Sequence, residues 1–318
     1  MTKKRIVLMK MLCRLMIATL WLLEISLVSC SSSNSLELPD EVDEQSVQLD
    51  HDLRVLFLGN SYSVDATEYL DELVSAAKIN KNQMGIYNGV INGGGFADWI
   101  DRYHSKSTVN VSRVTGNINM EYKQSLGNIL KQNWDMVVLL QVSNKSYEWD
   151  SFETNLPQLL EIIRSNCLNP NLVIAYQMPW GHNVNSTPSE LRGNIECTKR
   201  MMKEFDITHI IPIGIAIQNA RNTSLNTDMY LTWDNWHLCY GVGKYVAACT
   251  LFESIISPLA HISVVGIKAN HILSKKEMSY NGSVSVDETN RLLCQKCAFY
   301  AVRDTFSLAE ELIKSQQN

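Results

Sequence analysis

Five short apolar runs, each bounded by turn residues and spaced by stretches with helical periodicity, constrain this chain more than any other feature of it. Residues 54–60 (RVLFLGN), 85–91, 135–142 (DMVVLLQV), 172–178 (LVIAYQM) and 209–216 (HIIPIGIA) read as strands. Residues 64–78, 122–132, 152–165, 189–205 and 243–256 carry apolar positions three and four apart, as amphipathic helices do. The runs are continuously apolar rather than alternating, which suits strands covered on both faces. A strand–helix alternation repeated about five times predicts a mostly parallel sheet between two layers of helices, an α/β/α sandwich. In such sheets ligands gather beyond the carboxyl ends of the strands. Residues 105–120 are polar and resist assignment, and 257–318 read as a helix or two with a polar loop near 279–287, packed on the main body.

The length of 318 residues, 45% of them hydrophobic, is enough for one sizeable core. A net charge of −5 with 19% charged residues excludes the basic surface that nucleic-acid binding requires. Seven Trp and twelve Tyr serve either core packing or stacking against sugar rings.

The first thirty residues read as a targeting signal. Lys3, Lys4, Arg5, Lys10 and Arg14 precede a short apolar run, Leu15 to Leu23, too short to span a bilayer. The segment ends Leu27-Val28-Ser29-Cys30, which resembles a bacterial lipobox and implies a lipid on Cys30. Residues 31–52 are rich in Ser, Asp and Glu and read as a flexible tether. The expected organisation is a signal over 1–30, a tether over 31–52 and one folded domain with a C-terminal helical extension over 53–318, held in the cell envelope as a lipid-anchored protein. Six further cysteines follow, of which Cys294 and Cys297 have metal-ligand spacing but no second pair to complete a zinc site.

Two short motifs carry chemistry. Gly59-Asn60-Ser61-Tyr62-Ser63 sits where the first strand turns into a helix, so a serine there caps the helix or serves as a nucleophile. Asp234-Asn235-Trp236-His237 places a carboxylate three residues before an imidazole, after the last core strand. On one loop this spacing lets the carboxylate fix the ring's tautomer and leaves the other nitrogen as a general base.

VLFLGNSYS after the first strand, a glycine turn after the second, LLQVS, IPIGIAIQNAR and WDNWHLCYGVGKYVAACTLFE together resemble the SGNH (GDSL-like) hydrolases, in an uncharacterised bacterial branch. The resemblance spans residues 54–256. It implies a flavodoxin-like fold with a five-stranded sheet, Ser61 as nucleophile, His237 as base and Asp234 as its support. It also implies an oxyanion hole from the serine N–H, a glycine N–H and an amide side chain. The glycine falls within 93–95, with Gly94 the choice; the amide is Asn144 or Gln141, because the usual Gly-x-Asn-Asp block is replaced by Gln141-Val142-Ser143-Asn144. Ser63 is assigned to the helix start. Trp180 and His182 follow the fourth strand and are candidates for the cleft wall; Trp233 and Trp236 shape a sugar site or pack in the core. His104, His182 and His209 show no partner at useful spacing and read as core or surface histidines. No metal or organic cofactor is expected. The expected activity is ester hydrolysis, foremost of O-acetyl groups on polysaccharide. The alternatives are a lipase or thioesterase acting on acyl chains, and a silent glycan-binding lipoprotein on the same scaffold.

Overall fold

The computed structural model describes residues 46–115, 121–182 and 187–310. Cys30, the expected signal and most of the expected tether lie outside the described residues. The folded part begins before residue 53: the Val47 and Asp50 N–H groups donate to the carbonyls of Lys78 and Leu259, and Leu49 is buried.

Among the described residues seven strands form one sheet in the order β4-β3-β2-β1-β5-β6-β7. The central strand β1 (Leu53–Gly59) pairs in parallel with β2 (Met84–Val90) and with β5 (Met136–Leu139). Beyond β5 follow β6 (Val173–Gln177) and β7 (His209–Ile211), also parallel. Val55, Leu56, Phe57 and Leu58 are all at most 1% exposed, as a strand covered on both faces must be.

The five parallel strands match the five apolar runs, but the expected five-stranded count falls short by two. β3 (Thr108–Arg113) and β4 (Glu121–Ser125) add an antiparallel hairpin to the β2 edge, where sequence offered no assignment and then a helix over 122–132. That helix shrinks to α4 (Leu126–Leu130). A two-stranded edge with one solvent-facing side reads as polar, so neither periodicity stood out.

The helices fall into two groups, each packed within itself. One holds α3 (Phe96–Ser105), α4, α5 (Trp149–Asn166) and α6 (Thr187–Phe205). The other holds α1 (Ser61–Thr67), α2 (Leu70–Ala76), α7 (Ile213–Arg221), α8 (Val242–Leu251) and α10 (Arg291–Arg303), with α9 (Ser257–Ala260) following a π-helical turn after α8. The expected strand over 209–216 stops at Ile211, because Pro212 offers no N–H to extend the ladder and instead precedes α7. The expected helix over 64–78 starts earlier, at Ser61, and breaks at Tyr69 into α1 and α2.

Cys167, Cys197, Cys239, Cys249, Cys294 and Cys297 are free thiols. Cys294 and Cys297 are fully buried on α10 among apolar neighbours.

Candidate active site

The turn after β1 is built around Asn60. Its backbone is extended, and its side-chain oxygen accepts the Tyr62 N–H at 2.9 Å, which caps α1. The amide nitrogen donates to the Gly94 carbonyl at 2.9 Å and so ties the glycine turn after β2 to the turn after β1. Ser63 is not the cap. Fully buried, it donates to the Asn60 carbonyl, with Asn88 Oδ1 also at 2.8 Å. Gly59 makes that fold-back possible, since a Cβ on it would stand 2.0 Å from the Ser63 hydroxyl. With Ser63 locked inward, Ser61 alone of the two faces the cleft, and its N–H lies at the first helical position, where helices leave donors unpaired.

The Asp-x-x-His segment forms the tip of a hairpin loop closed by a bridge between Thr232 and Leu238. Asn235 turns the chain at φ 71°, a left-handed value that asparagine tolerates. One Asp234 oxygen accepts the N–H groups of Trp236 at 2.9 Å and His237 at 2.7 Å; the other accepts His237 Nδ1–H at 2.6 Å. His237 Nε2 stands 2.9 Å from Ser61 Oγ. The structure thus brings Ser61, His237 and Asp234 into one hydrogen-bonded line. Partial burial alone would raise the Asp234 carboxyl, but the N–H groups and ring of His237, with the N–H of Trp236, outweigh it and hold it below the ordinary carboxylate range.

Buried groups hold this loop from behind. The Leu238 N–H donates to Asp65 at 2.8 Å, and Asp65 pairs with Lys244 at 3.2 Å, both side chains under 8% exposed. Lys244 also reaches Glu68 at 3.1 Å and lies over the Tyr240 ring. Burial would lower the Lys244 ammonium, but Asp65 and Glu68 hold it above the usual lysine value. Trp180 Nε1 donates to the Trp236 carbonyl at 2.9 Å, while the Trp180 ring stacks on Tyr62 with centroids 3.9 Å apart. Trp180 is therefore not a cleft residue: at 1% exposure it lies behind the wall.

A cleft of about 570 Å3 opens beside Ser61 and His237, bordered by Asn92, Gly93, Val142, Asn144 and Trp236. Two of the expected oxyanion donors are spent elsewhere. Gly94 donates its N–H to the Ile91 carbonyl at 2.9 Å, because the turn closes on itself there; Gly93, at φ 64°, is the glycine that reaches the cleft. Gln141, 3% exposed, accepts the Phe96 and Val142 N–H groups, and its amide nitrogen lies 3.1 Å from Ser151 Oγ. It is a clasp between β5, α3 and α5, and a Cβ on Gly95 would collide with it at 2.0 Å. Asn144 stands exposed on a short 3₁₀ turn at the cleft edge.

The tryptophans divide likewise. Trp236 is 43% exposed on the cleft, and Trp233 lies over His237 with centroids 5.8 Å apart; neither is core. His182, expected to lack a partner, has one: its N–H and Nδ1 meet the Glu190 carboxylate at 2.7 and 3.0 Å, and its ring packs on Trp236. Burial lowers the His182 imidazole despite Glu190. His104 sits on the surface beside Gln158, and His209, half-buried, is lowered by burial. Sequence reasoning missed the second role of Asn60 and the Asp65–Lys244 pair. Asp65 was within reach of a signal, since it lies four residues after Ser61 on the same helix face.

A family model described as "Domain of unknown function (DUF4886)" matches residues 54–277. No curated protein matches the chain. Among solved structures, a DUF4886 family protein from Bacteroides uniformis is 25% identical with a TM-score of 0.68, over 81% of this chain and 97% of that one. A catalytic mutant of Axe2, an acetylxylan esterase from Geobacillus stearothermophilus, is 14% identical with a TM-score of 0.46, over 65% of this chain and 95% of that one.

Proposed function

The chain belongs to the DUF4886 family of unknown function, and we propose from its site that it is a serine esterase of the SGNH kind, acting on O-acetyl groups of a glycan. One observation carries the reading: the continuous line Ser61 Oγ, His237 Nε2, His237 Nδ1, Asp234 Oδ2, with contacts of 2.9 and 2.6 Å. His237 Nε2 takes the Ser61 proton as Oγ bonds to the ester carbonyl carbon. The carbonyl electrons move to oxygen, and the oxyanion is held by the Ser61 N–H, assisted by Gly93 N–H and the Asn144 amide. Collapse breaks the bond to the alcohol oxygen, which takes the proton from His237. Water then attacks the acyl-enzyme with His237 as base again, releasing the acid and restoring Ser61. Asp234 holds the ring so that Nε2 faces Ser61, and balances the imidazolium when it forms.

The glycan assignment draws support from Trp236, whose exposed ring at the cleft offers a flat face to a sugar. The test is turnover of p-nitrophenyl esters of graded chain length, beside Ser61→Ala. Rapid turnover of acetate alone, abolished in the variant, supports the acetyl-esterase reading. Preference for long chains replaces it with a lipase. No turnover of any ester, with no Ser61-dependent labelling by a fluorophosphonate probe, leaves a glycan-binding protein.

A further inference from the structure

At the opposite end of the sheet from Ser61 two arginines have no carboxylate partner among the described residues. Arg54, near the start of β1, and Arg113, at the end of β3, line one cavity of about 250 Å3 with Leu53, Met84 and Gly85. Each guanidinium is held by an aromatic ring and a single hydrogen bond. Arg54 lies over Trp134 at 5.2 Å, with Nη2 donating to Gln132 at 2.9 Å. Arg113 lies over Tyr87 at 5.9 Å, with Nη2 donating to the Met84 carbonyl at 2.6 Å. Tyr87 and Trp134 meet edge to face at 5.4 Å, so the two stacked pairs brace one another.

Among the described residues no carboxylate lies within 4.0 Å of either guanidinium, and both Nε atoms are buried without a partner. Asp52 lines the cavity but is exposed and beyond that distance, while the Asp135 oxygens accept the Arg54 backbone N–H and the Asn169 amide. The chain is not short of acids, with a net charge of −5, and it pairs Lys81, Arg200, Arg291 and Arg303 with carboxylates. Two guanidiniums sharing a polar cavity, their forks fixed by aromatic rings and most N–H donors unused, match an oxyanion.

We propose that this cavity is a second binding site, for an oxyanion group such as a carboxylate, sulfate or phosphate, borne on a sugar or free in solution. Arg54 and Arg113 supply the charge and the donors. The seven residues from Arg54 to Ser61 place it about 20 Å from the reacting serine at strand rise, so occupancy does not block the cleft.

The test is calorimetric titration of the purified full-length protein with sodium sulfate, sodium phosphate and galacturonate at constant ionic strength. Saturable binding of at least one, weakened about tenfold or more in both Arg54→Gln and Arg113→Gln, is the expected result. Tighter binding of galacturonate than of the inorganic anions assigns the site to an acidic sugar; the reverse assigns it to a free anion. Where a glutamine variant fails to fold, Arg113→Lys keeps the charge and loses the fork, and must still weaken binding. The absence of saturable binding in the wild type, or equal binding in folded variants, overturns the proposal. Turnover of p-nitrophenyl acetate stays unchanged in Arg113→Gln throughout, which separates this site from the fate of the esterase reading.

Discussion

Asp234 does two jobs with its two oxygens: one fastens the backbone of its own loop, the other fastens the ring of His237. Asp234→Asn keeps the size but offers the ring an amide that favours the wrong tautomer. Its kcat on p-nitrophenyl acetate is expected to fall by about 10⁴-fold, the scale seen when a triad carboxylate becomes an amide. A loss under about tenfold would remove Asp234 from the mechanism. Its titration adds a stability signature. A carboxyl held below its ordinary value contributes stability that is fully present above the unfolded value near 4 and is lost as pH falls through the lower folded value. Urea unfolding of wild type against Asp234→Asn should therefore show their difference closing as the pH is taken below about 4. Ser61, Asp234 and His237 were legible in the sequence because each sits in a short motif whose partners lie within the motif or at a strand end. Gly94 and Gln141 were misread for the opposite reason. An N–H or an amide points wherever its neighbours across the fold leave room, and Phe96 and Ser151, which claim Gln141, carry no mark of that role in the chain.

At the scale of elements, α1 presents Ser61 to the cleft on one turn and Asp65 to the Asp234–His237 loop on the next, with Lys244 of α8 behind it. Lys244→Met leaves the Asp65 carboxylate buried without its cation, and breaking a buried pair from one side costs about 3–5 kcal/mol. Chemical unfolding of that variant should show a loss of this order, and a loss below about 1 kcal/mol would mean that the pair contributes little. A second tie joins α2 to the C-terminal segment. His271 sits between Glu72 at 3.0 Å and Glu277 at 2.9 Å, its ring against Tyr69. Burial would lower this imidazole, but the two carboxylates outweigh it and raise it; Glu277, against the pull of burial, is held down at about 2 first by the Ser274 hydroxyl and N–H and then by His271. A raised histidine contributes stability that is complete below the unfolded value near 6.5 and is lost as pH rises through the folded one. Unfolding free energy is thus expected to decline above about pH 6.5 in the wild type and to stay flatter in His271→Gln. Parallel curves would show that the tie carries no such dependence. The parallel strands were legible from their continuous apolar runs. The β3–β4 hairpin was not, since TVNVSR and EYKQS become strands by pairing with each other and with β2.

On the scale of the whole molecule, the parallel sheet sets two chemistries apart. Its carboxyl ends carry the proposed ester chemistry, and its amino ends carry the two arginines. The proposed lipid on Cys30 adds an attachment ahead of the body. Cys30→Ala is expected to move the protein from the membrane fraction to the soluble fraction with its esterase rate intact. Retention in the membrane fraction without lipid labelling would point to an uncleaved anchor instead.

The serine and the histidine that meet at 2.9 Å stand 176 positions apart along the chain. Four of the five parallel strands, β2, β5, β6 and β7, lie between them in sequence, so this contact cannot close until most of the sheet has been synthesised. A nascent chain that has made most of the sheet still lacks His237, and in the proposed mechanism Ser61 has no base until residues 232–238 have been synthesised. Contacts of such long range are also slow to form. An esterase of the proposed kind, assembled in this order, gains its activity only when the loop after β7 has folded against the turn after β1.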